Sequence, residues 1–461
     1  MFITTPRSLV LLTGETCLLL TAVLIGTYLR LGDLAVPVLA TSDGVFRVLL
    51  IVGVCQLCLH YADLYNLASI VDIRDLVVRL FLALAATSLI LAVIYFVFPS
   101  WIIGRGVFFS AAVLVISLVS AWRLMFSWVT SRVAPRERLL IVGTNPAAVE
   151  LARELHDRQY ELGVEIVGFV DSDPARIGQR LINPGIVGTI DDIPALIPRL
   201  NADRVVLSVT DARGKLPMDR LLEIRLQTGV TFDHLVSVYE EYTGKIAIEN
   251  LRPSWFVFSS GFSKKRPLLV AKRVADVVLS IVGLIVTAPL MVIVAAAIKL
   301  TSAGGILYHQ ERVGLNGRVF TVYKLRTMRA DAELTSGPTW SVPNDGRVTW
   351  LGRILRKTRF DELPQLWNVL RGDMSFVGPR PERPTFVEQL TEKIPFYFQR
   401  HVLKPGVTGW AQVHYSYGAS VEDALEKLQY DLYYIKNLSI RLDLMIIFET
   451  IKTVVLRRGA R

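Results

Sequence analysis

Four long apolar stretches fill most of the first 130 residues, near positions 8–29, 46–65, 76–98 and 106–129. Each approaches the ~20 residues that an α-helix needs to cross a bilayer. A chain built this way is expected to be a membrane protein with an N-terminal four-helix transmembrane bundle. The arginines set its orientation. Arg7, Arg74, Arg79, Arg132, Arg136 and Arg138 fall on one side, and Arg30, Arg47 and Arg105 on the other. By the positive-inside tendency both ends of the bundle face the cytoplasm. Leu9 to Tyr28 is long enough to span and no clear cleavage site follows, so a cleaved signal peptide is not expected. Glu15 stands inside the first span, as a functional group, a bundle-facing hydrogen-bond partner or a residue at a helix end.

Hydrophobic residues make up 52% of the 461 residues, which fits membrane segments joined to soluble mass. The net charge of +10 suits an anionic membrane surface or phosphorylated substrates. No nucleic-acid-binding signature accompanies it. The three cysteines, Cys17, Cys55 and Cys58, all lie in apolar segments. Cys55 and Cys58 have CxxC spacing without a second ligand pair, and read as small buried hydrophobes.

From Arg136 the pattern changes. Leu139–Val142 reads as a strand, followed by a glycine turn and a helix from about Pro146. Residues 165–173 and 202–209 read as further strands. Strands alternating with helices imply a parallel, doubly wound sheet, hence a central Rossmann-like α/β module. The turn Gly143-Thr144-Asn145-Pro146-Ala147 lacks the second and third glycines of a dinucleotide fingerprint. A regulatory or structural module is therefore expected in preference to a bound dinucleotide. The expected domains are residues 1–135, 136–262 and 263–461.

The third region opens on a hydrophobic helix over 272–300. Its uncharged stretch, Val277 to Ile298, is about 33 Å long at ~1.5 Å per residue. Pro289 removes a backbone hydrogen bond in mid-segment, so a bend at Ala288-Pro289 is expected. Length permits a fifth crossing, whereas a helix that enters the membrane, bends and returns keeps both soluble parts on one face. Near the end, residues 439–456 mix apolar patches with isolated charges. They suit a helix in the membrane interface or a core helix.

Asp361 and Glu362 sit among cations. Leu363, Leu366, Trp367 and Leu370 recur at helical spacing, so a helix is expected to start near 361, with Pro364 tolerated in its first turn. Asp361 would then be an N-cap with Glu362 complementing the helix dipole. The same geometry also suits a carboxylate that, beside Mg²⁺, attacks a phosphorus centre. Lys324, Arg326, Arg356, Arg359 and Arg380 lie near proline- or glycine-bearing turns and suit phosphate oxygens.

Residues 268–461 resemble the bacterial sugar transferase family, the monotopic polyprenyl-phosphate phosphoglycosyl transferases. The resemblance rests on Lys272-Arg273 before a proline-broken helix and on Lys324-Leu325-Arg326-Thr327-Met328. It continues through Asp361-Glu362-Leu363-Pro364-Gln365-Leu366-Trp367-Asn368, Gly378-Pro379-Arg380-Pro381 and Lys404-Pro405-Gly406-Val407-Thr408-Gly409. It implies a C-terminal α/β domain with a re-entrant membrane helix broken at Ala288-Pro289, in a multi-pass protein of the bacterial inner membrane. It also implies transfer of hexose 1-phosphate from a UDP-hexose to undecaprenyl phosphate, with release of UMP. Asp361 would carry the phosphosugar covalently, and Glu362 would assist as a base or, with Asp361, as a metal ligand for Mg²⁺. Lys324, Arg326, Arg356, Arg359 and Arg380 are the implied phosphate contacts. Exopolysaccharide or O-antigen synthesis is the implied setting, with a possible homodimer and downstream glycosyltransferases as partners. Two other readings compete: a membrane-bound sugar-nucleotide dehydratase or epimerase, and a non-enzymatic export scaffold. The first needs a Tyr-x-x-x-Lys pair, and no tyrosine here is followed by lysine at that spacing.

Overall fold

A computed structural model describes residues 6–62, 64–65, 73–103, 106–132, 136–208, 218–248, 251, 253–329, 332, 346–415 and 420–455. Arg105, Val209 and Leu456, which entered the readings above, lie outside them. Two compact units divide the chain, Met1–Tyr242 and Thr243–Arg461. Among the described residues, five helices are long and apolar enough to cross a membrane, four in the first unit and one in the second.

The first unit opens with α1 (Pro6–Leu31), α2 (Ser42–Tyr61), α3 (Ile73–Val97) and α4 (Val107–Arg132). Their shared core is apolar and includes Leu19, Leu59, Leu80 and Val119; Cys55 and Cys58 are buried in it as free thiols. Glu15 faces inward and pairs with Arg123 of α4 at 2.6 Å, with both side chains buried. Arg123 also donates to the Leu64 carbonyl. Losing one partner of such a pair strands a charge in the apolar interior, a cost of about 3–5 kcal/mol.

After the bundle comes a five-stranded sheet of order β3-β2-β1-β4-β5, formed by β1 (Glu137–Val142), β2 (Val164–Asp171), β3 (Ile186–Thr189), β4 (Arg204–Leu207) and β5 (Thr231–His234). All of its pairings are parallel. The chain crosses between strands through α5 (Pro146–Asp157), α6 (Ile193–Leu200) and α7 (Met218–Thr228), and α8 (Leu235–Thr243) follows β5. This is the doubly wound architecture expected from the alternating pattern. Gly143 turns the chain out of β1 at φ +104°, a conformation that a side chain makes costly.

In the second unit α9 (Arg266–Thr301) is helical without interruption through Pro289. The antiparallel hairpin of β6 (Leu307–Val313) and β7 (Val319–Leu325) follows, in register Leu307↔Leu325. Next come α10 (Trp350–Thr358), α11 (Gln365–Arg371), β8 (Ser375–Val377), α12 (Pro384–Lys393), β9 (Gly406–Thr408), α13 (Val421–Lys436) and α14 (Ile440–Val455). One stripe of α9 faces this unit along its length. Near the N-terminal end, Lys272 Nζ pairs with Asp443 at 2.7 Å and donates to the Val377 carbonyl, while Asp276 accepts from Ser375 Oγ and Phe376 N. Near the C-terminal end, Val294 and Ile298 pack with Leu325 and Leu355. The same unit therefore grips both arms of the helix. Its outward stripe, including Val278, Ile285, Val286, Val292 and Ile293, is apolar and exposed.

Two expectations are refined here. The boundary between the soluble parts falls twenty residues before 262, because residues 243–248 are buried within the second unit. There Trp410 Nε1 donates to the Gly244 carbonyl, Lys245 pairs with Glu426, and Ile246 N bonds Gln429 O. The C-terminal helix α14 is a core helix through Ile446 and Asp443, and it presents Leu444 and Ile451 outward.

Candidate active site

The acidic pair lies between two helices. Thr349 caps α10 by accepting from Gly352 N at 2.9 Å. Arg359 ends that helix in the left-handed region at φ 59°, and Phe360–Glu362 form a single 3-10 turn. The helix expected from 361 starts at Gln365 instead, with Pro364 in the N-cap position and no side-chain cap. Asp361 is thus not an N-cap. The tight turn, with Leu363 N bonded to Phe360 O and Leu366 N to Leu363 O, holds both carboxylates beneath the surface ahead of α11. Asp361 is 7% exposed and Glu362 9%.

The cations are not shared equally. Glu362 Oε1 accepts from Lys324 Nζ and from Arg380 Nη2, both at 2.8 Å, and its Oε2 lies 3.7 Å from Arg359 Nη1. Burial alone would raise the Glu362 pKa. Lys324, Arg380 and Arg359 outweigh it and hold the carboxyl well below the usual range. Asp361 Oδ1, in contrast, is buried with no hydrogen-bond partner among the described residues. Burial, and then the charge of Glu362, push Asp361 up to about 6; Lys324, Arg356 and Arg359 offset part of the rise. The pair is one cation-clamped carboxylate beside one whose Oδ1 has no hydrogen-bond partner among the described residues.

Of the candidate phosphate contacts, Lys324, Arg359 and Arg380 converge on the pair. Arg356 lies close enough to act on Asp361 electrostatically, while its Nε donates to Thr327 Oγ1 at 3.0 Å. Arg326 is not brought there. Its guanidinium donates to the carbonyls of Ser302 and Ala303 and to Ser302 Oγ, so it fastens the end of α9.

Asn368, fully buried, carries a role that spacing did not reveal. Its Nδ2 donates to Thr321 O at 2.7 Å and its Oδ1 accepts from Tyr323 N at 3.1 Å. These bonds lock α11 to β7 one residue before Lys324. Lys272 stood in the sequence as a motif position, but its pairing with Asp443, like the role of Asp276, was hidden. The available signal was the four-residue spacing of Lys272 and Asp276, which puts both on one face of the helix.

For a divalent cation the donor set is selective. Among the described residues, no group of three or more His, Cys, Asp or Glu could hold a metal by itself. Mg²⁺ commonly takes one or two carboxylates together with substrate phosphates. The orphaned Asp361 oxygen fits that arrangement, whereas the oxygens of Glu362 already face three cations.

Comparison with known proteins follows the same division. The bacterial sugar transferase profile matches residues 268–457, and a CoA-binding domain profile matches residues 60–213. A UDP-N-acetylgalactosamine-undecaprenyl-phosphate N-acetylgalactosaminephosphotransferase of Aeromonas hydrophila is 42% identical over 260 residues, covering 56% of this chain and 60% of that protein. An undecaprenyl-phosphate glucose phosphotransferase of Komagataeibacter xylinus is 35% identical over 335 residues, 70% of this chain and 60% of its own. The exopolysaccharide production protein PSS of Rhizobium leguminosarum bv. phaseoli is 44% identical over 191 residues, 40% of this chain and 94% of its own. The chain thus matches 60% of the length of the first two relatives.

Proposed function

Because the chain belongs to the bacterial sugar transferase family, we propose that it transfers hexose 1-phosphate from a UDP-hexose to undecaprenyl phosphate. The observation that carries this reading is the orphaned, buried Asp361 beside a carboxylate that has absorbed the neighbouring cations. A desolvated carboxylate with no hydrogen-bond partner is a better nucleophile than a paired one. In the first step Asp361 attacks the sugar-bearing phosphorus of the donor, the bond to the UMP oxygen breaks, and UMP leaves. In the second, a phosphate oxygen of undecaprenyl phosphate attacks the same phosphorus. The acyl-phosphate bond breaks and the Asp361 carboxylate is restored. Glu362 keeps Lys324, Arg380 and Arg359 beside the reacting phosphoryl group, whose spreading negative charge these donors stabilise. A magnesium ion held by Asp361 and by donor phosphate oxygens would neutralise charge on the pyrophosphate.

The acceptor is a lipid and the donor is water-soluble, so the site has to meet both phases. Capture of both ends of α9 by one unit, with an apolar stripe turned outward, supports a helix that enters and leaves the membrane on one face by bending at Pro289, a bend that would have to occur within continuous helical backbone and not at the break expected at Ala288-Pro289. On this reading the sheet module and the catalytic unit both lie on the cytoplasmic side of a bacterial inner membrane.

The test uses membranes containing the full chain, radiolabelled UDP-glucose or UDP-N-acetylgalactosamine, and undecaprenyl phosphate. The expected result is a Mg²⁺-dependent lipid-linked product and UMP, absent with Asp361→Asn. No product with a panel of UDP-sugars, or undiminished product from the variant, would point to a scaffold instead. A reporter fused after residue 461 should score cytoplasmic; a periplasmic score would remove the returning helix.

A further inference from the structure

Arg380 reaches Glu362 from a stretch that cannot hold itself in place. Pro379 and Pro381 flank it and bring no backbone N–H, so the segment has few donors with which to join a sheet. Its carbonyls do the anchoring, each with its own donor. Pro379 O accepts from Gly406 N at 3.0 Å, Arg380 O from Arg400 Nη2 at 3.0 Å, Pro381 O from Arg312 Nη1 at 3.0 Å, and Glu382 O from Val313 N at 2.9 Å. Two of these donors are backbone amides of neighbouring strands. The other two are arginine side chains, and Arg400 holds the carbonyl of Arg380 itself.

Arg400 is unusually well fixed for such a task. It is 5% exposed, in the 3-10 segment Tyr397–Val402. Its Nη2 also lies 2.8 Å from Asp431 Oδ2 of α13, its Nη1 donates to Tyr397 Oη at 2.6 Å, and its guanidinium lies 5.2 Å from the Tyr397 ring centre. A fully buried arginine with a buried carboxylate partner holds a rigid fork, with little rotamer freedom left to lose.

We propose that Arg400 is a positioning residue for the transfer reaction: it fixes the Arg380 backbone from inside the fold and so sets the Arg380 guanidinium on Glu362. The inference rests on the proposed transfer for its kinetic readout. Arg400 touches neither carboxylate of the pair and acts only through Arg380. Arg312 holds the next carbonyl in the same way from the strand side.

A double-mutant cycle on the full-length protein in membranes tests this. Arg400→Lys keeps a charge for Asp431 but loses the planar fork whose separate nitrogens reach Tyr397 and the Arg380 carbonyl. Displacing a catalytic guanidinium by about 1 Å is expected to lower kcat by about tenfold or more, with KM for the UDP-sugar changed by less than about threefold. In an Arg380→Ala background the same change should cost less than about twofold, since the group it positions is gone. A merely structural arginine would cost an equal factor in both backgrounds, and that result overturns the proposal. If Arg400→Lys fails to accumulate, Tyr397→Phe is expected to give a smaller loss, about threefold, with the same disappearance in Arg380→Ala. Hydrogen exchange gives a readout independent of turnover: Arg400→Lys, or Tyr397→Phe in its place, should speed exchange across 378–386 and leave 361–371 unchanged. Unaltered exchange at 378–386 overturns the inference even where the parent transfers no sugar. A parent without transfer but with the expected exchange pattern defeats the proposed function alone.

Discussion

Asp171, at the end of β2, and Asp361, in the turn ahead of α11, are both buried aspartates with arginines nearby, and the fold treats them in opposite ways. Asp171 is answered from several sides. Thr144 Oγ1 donates to it, Arg176 Nη1 lies 2.6 Å away, and the Asp173 amide donates at 3.1 Å. Burial is the largest single influence and raises its pKa, but these partners together, Thr144 first among them, outweigh it and bring the pKa below the ordinary value. Nearby, at the switch point of the sheet, Asn145 caps α5 and exchanges hydrogen bonds with Ser208. Among the described residues at this place, where doubly wound sheets commonly take a ligand, Thr144, Asn145 and Ser208 are bonded to the chain's own groups. At Asp361 the cations are directed to the adjacent Glu362, and the aspartate keeps a bare oxygen. A charged cluster is therefore a poor guide to reactivity by itself. On the proposed reading, what separates the structural carboxylate from the reactive one is whether the fold directs its donors to it.

The largest expected effect sharpens that contrast. Asp361→Asn should lower lipid-linked product formation by about 10⁴-fold or more, as loss of a nucleophile does. Asp171→Asn should leave the rate within about twofold; a large loss there would erase the distinction. Glu362→Gln is expected to cost about 10²–10³ in kcat, because it releases Lys324 and Arg380 from their clamp and weakens charge stabilisation. Full activity in that variant would show that the clamp is incidental.

Stability against pH gives smaller effects of opposite sign at the two aspartates. The folded pKa of Asp361 is raised from 3.8 to about 6, so the folded chain binds its proton more tightly than the unfolded one. The ionised form therefore penalises folding increasingly as pH rises from 3.8 to about 6, and by a constant amount above that. Asp361→Asn should raise the melting temperature above pH 6 and match the parent below about pH 4. Asp171 has a lowered folded pKa, so its contribution is present above its unfolded value of 3.8 and is lost as pH falls through the folded value. Asp171→Asn should lower the melting temperature at neutral pH by a few degrees, about 1 kcal/mol for a partly exposed network. Equal signs for the two variants at pH 7 would break the comparison.

Much of this was legible in the residues because it is local. Apolar stretches of spanning length, strands alternating with helices and the acidic pair all follow from short-range pattern. Other features depend on partners far apart in sequence. Lys272 and Asp443 meet across 171 residues, so the grip on α9 could not be read from either segment. Arg326 looked like a phosphate contact because it shares a short motif with Lys324. Adjacent strand positions point in opposite directions, but these two are two positions apart, and alternation alone puts them on the same side. Arg326 lies just past the end of β7, and there the carbonyls of Ser302 and Ala303 claim its guanidinium. The helix start was misplaced by four residues because Arg359 adopts a left-handed conformation, which spacing of leucines does not report.

The most direct measurement is intact and peptide mass spectrometry of the protein quenched with UDP-sugar alone, before any acceptor is added. A hexose-phosphate adduct is expected on the Asp361 side chain, formed with one equivalent of UMP and discharged by undecaprenyl phosphate. UMP release and lipid-linked product without any such adduct at Asp361, under conditions that trap acyl phosphates, would contradict the proposed covalent step.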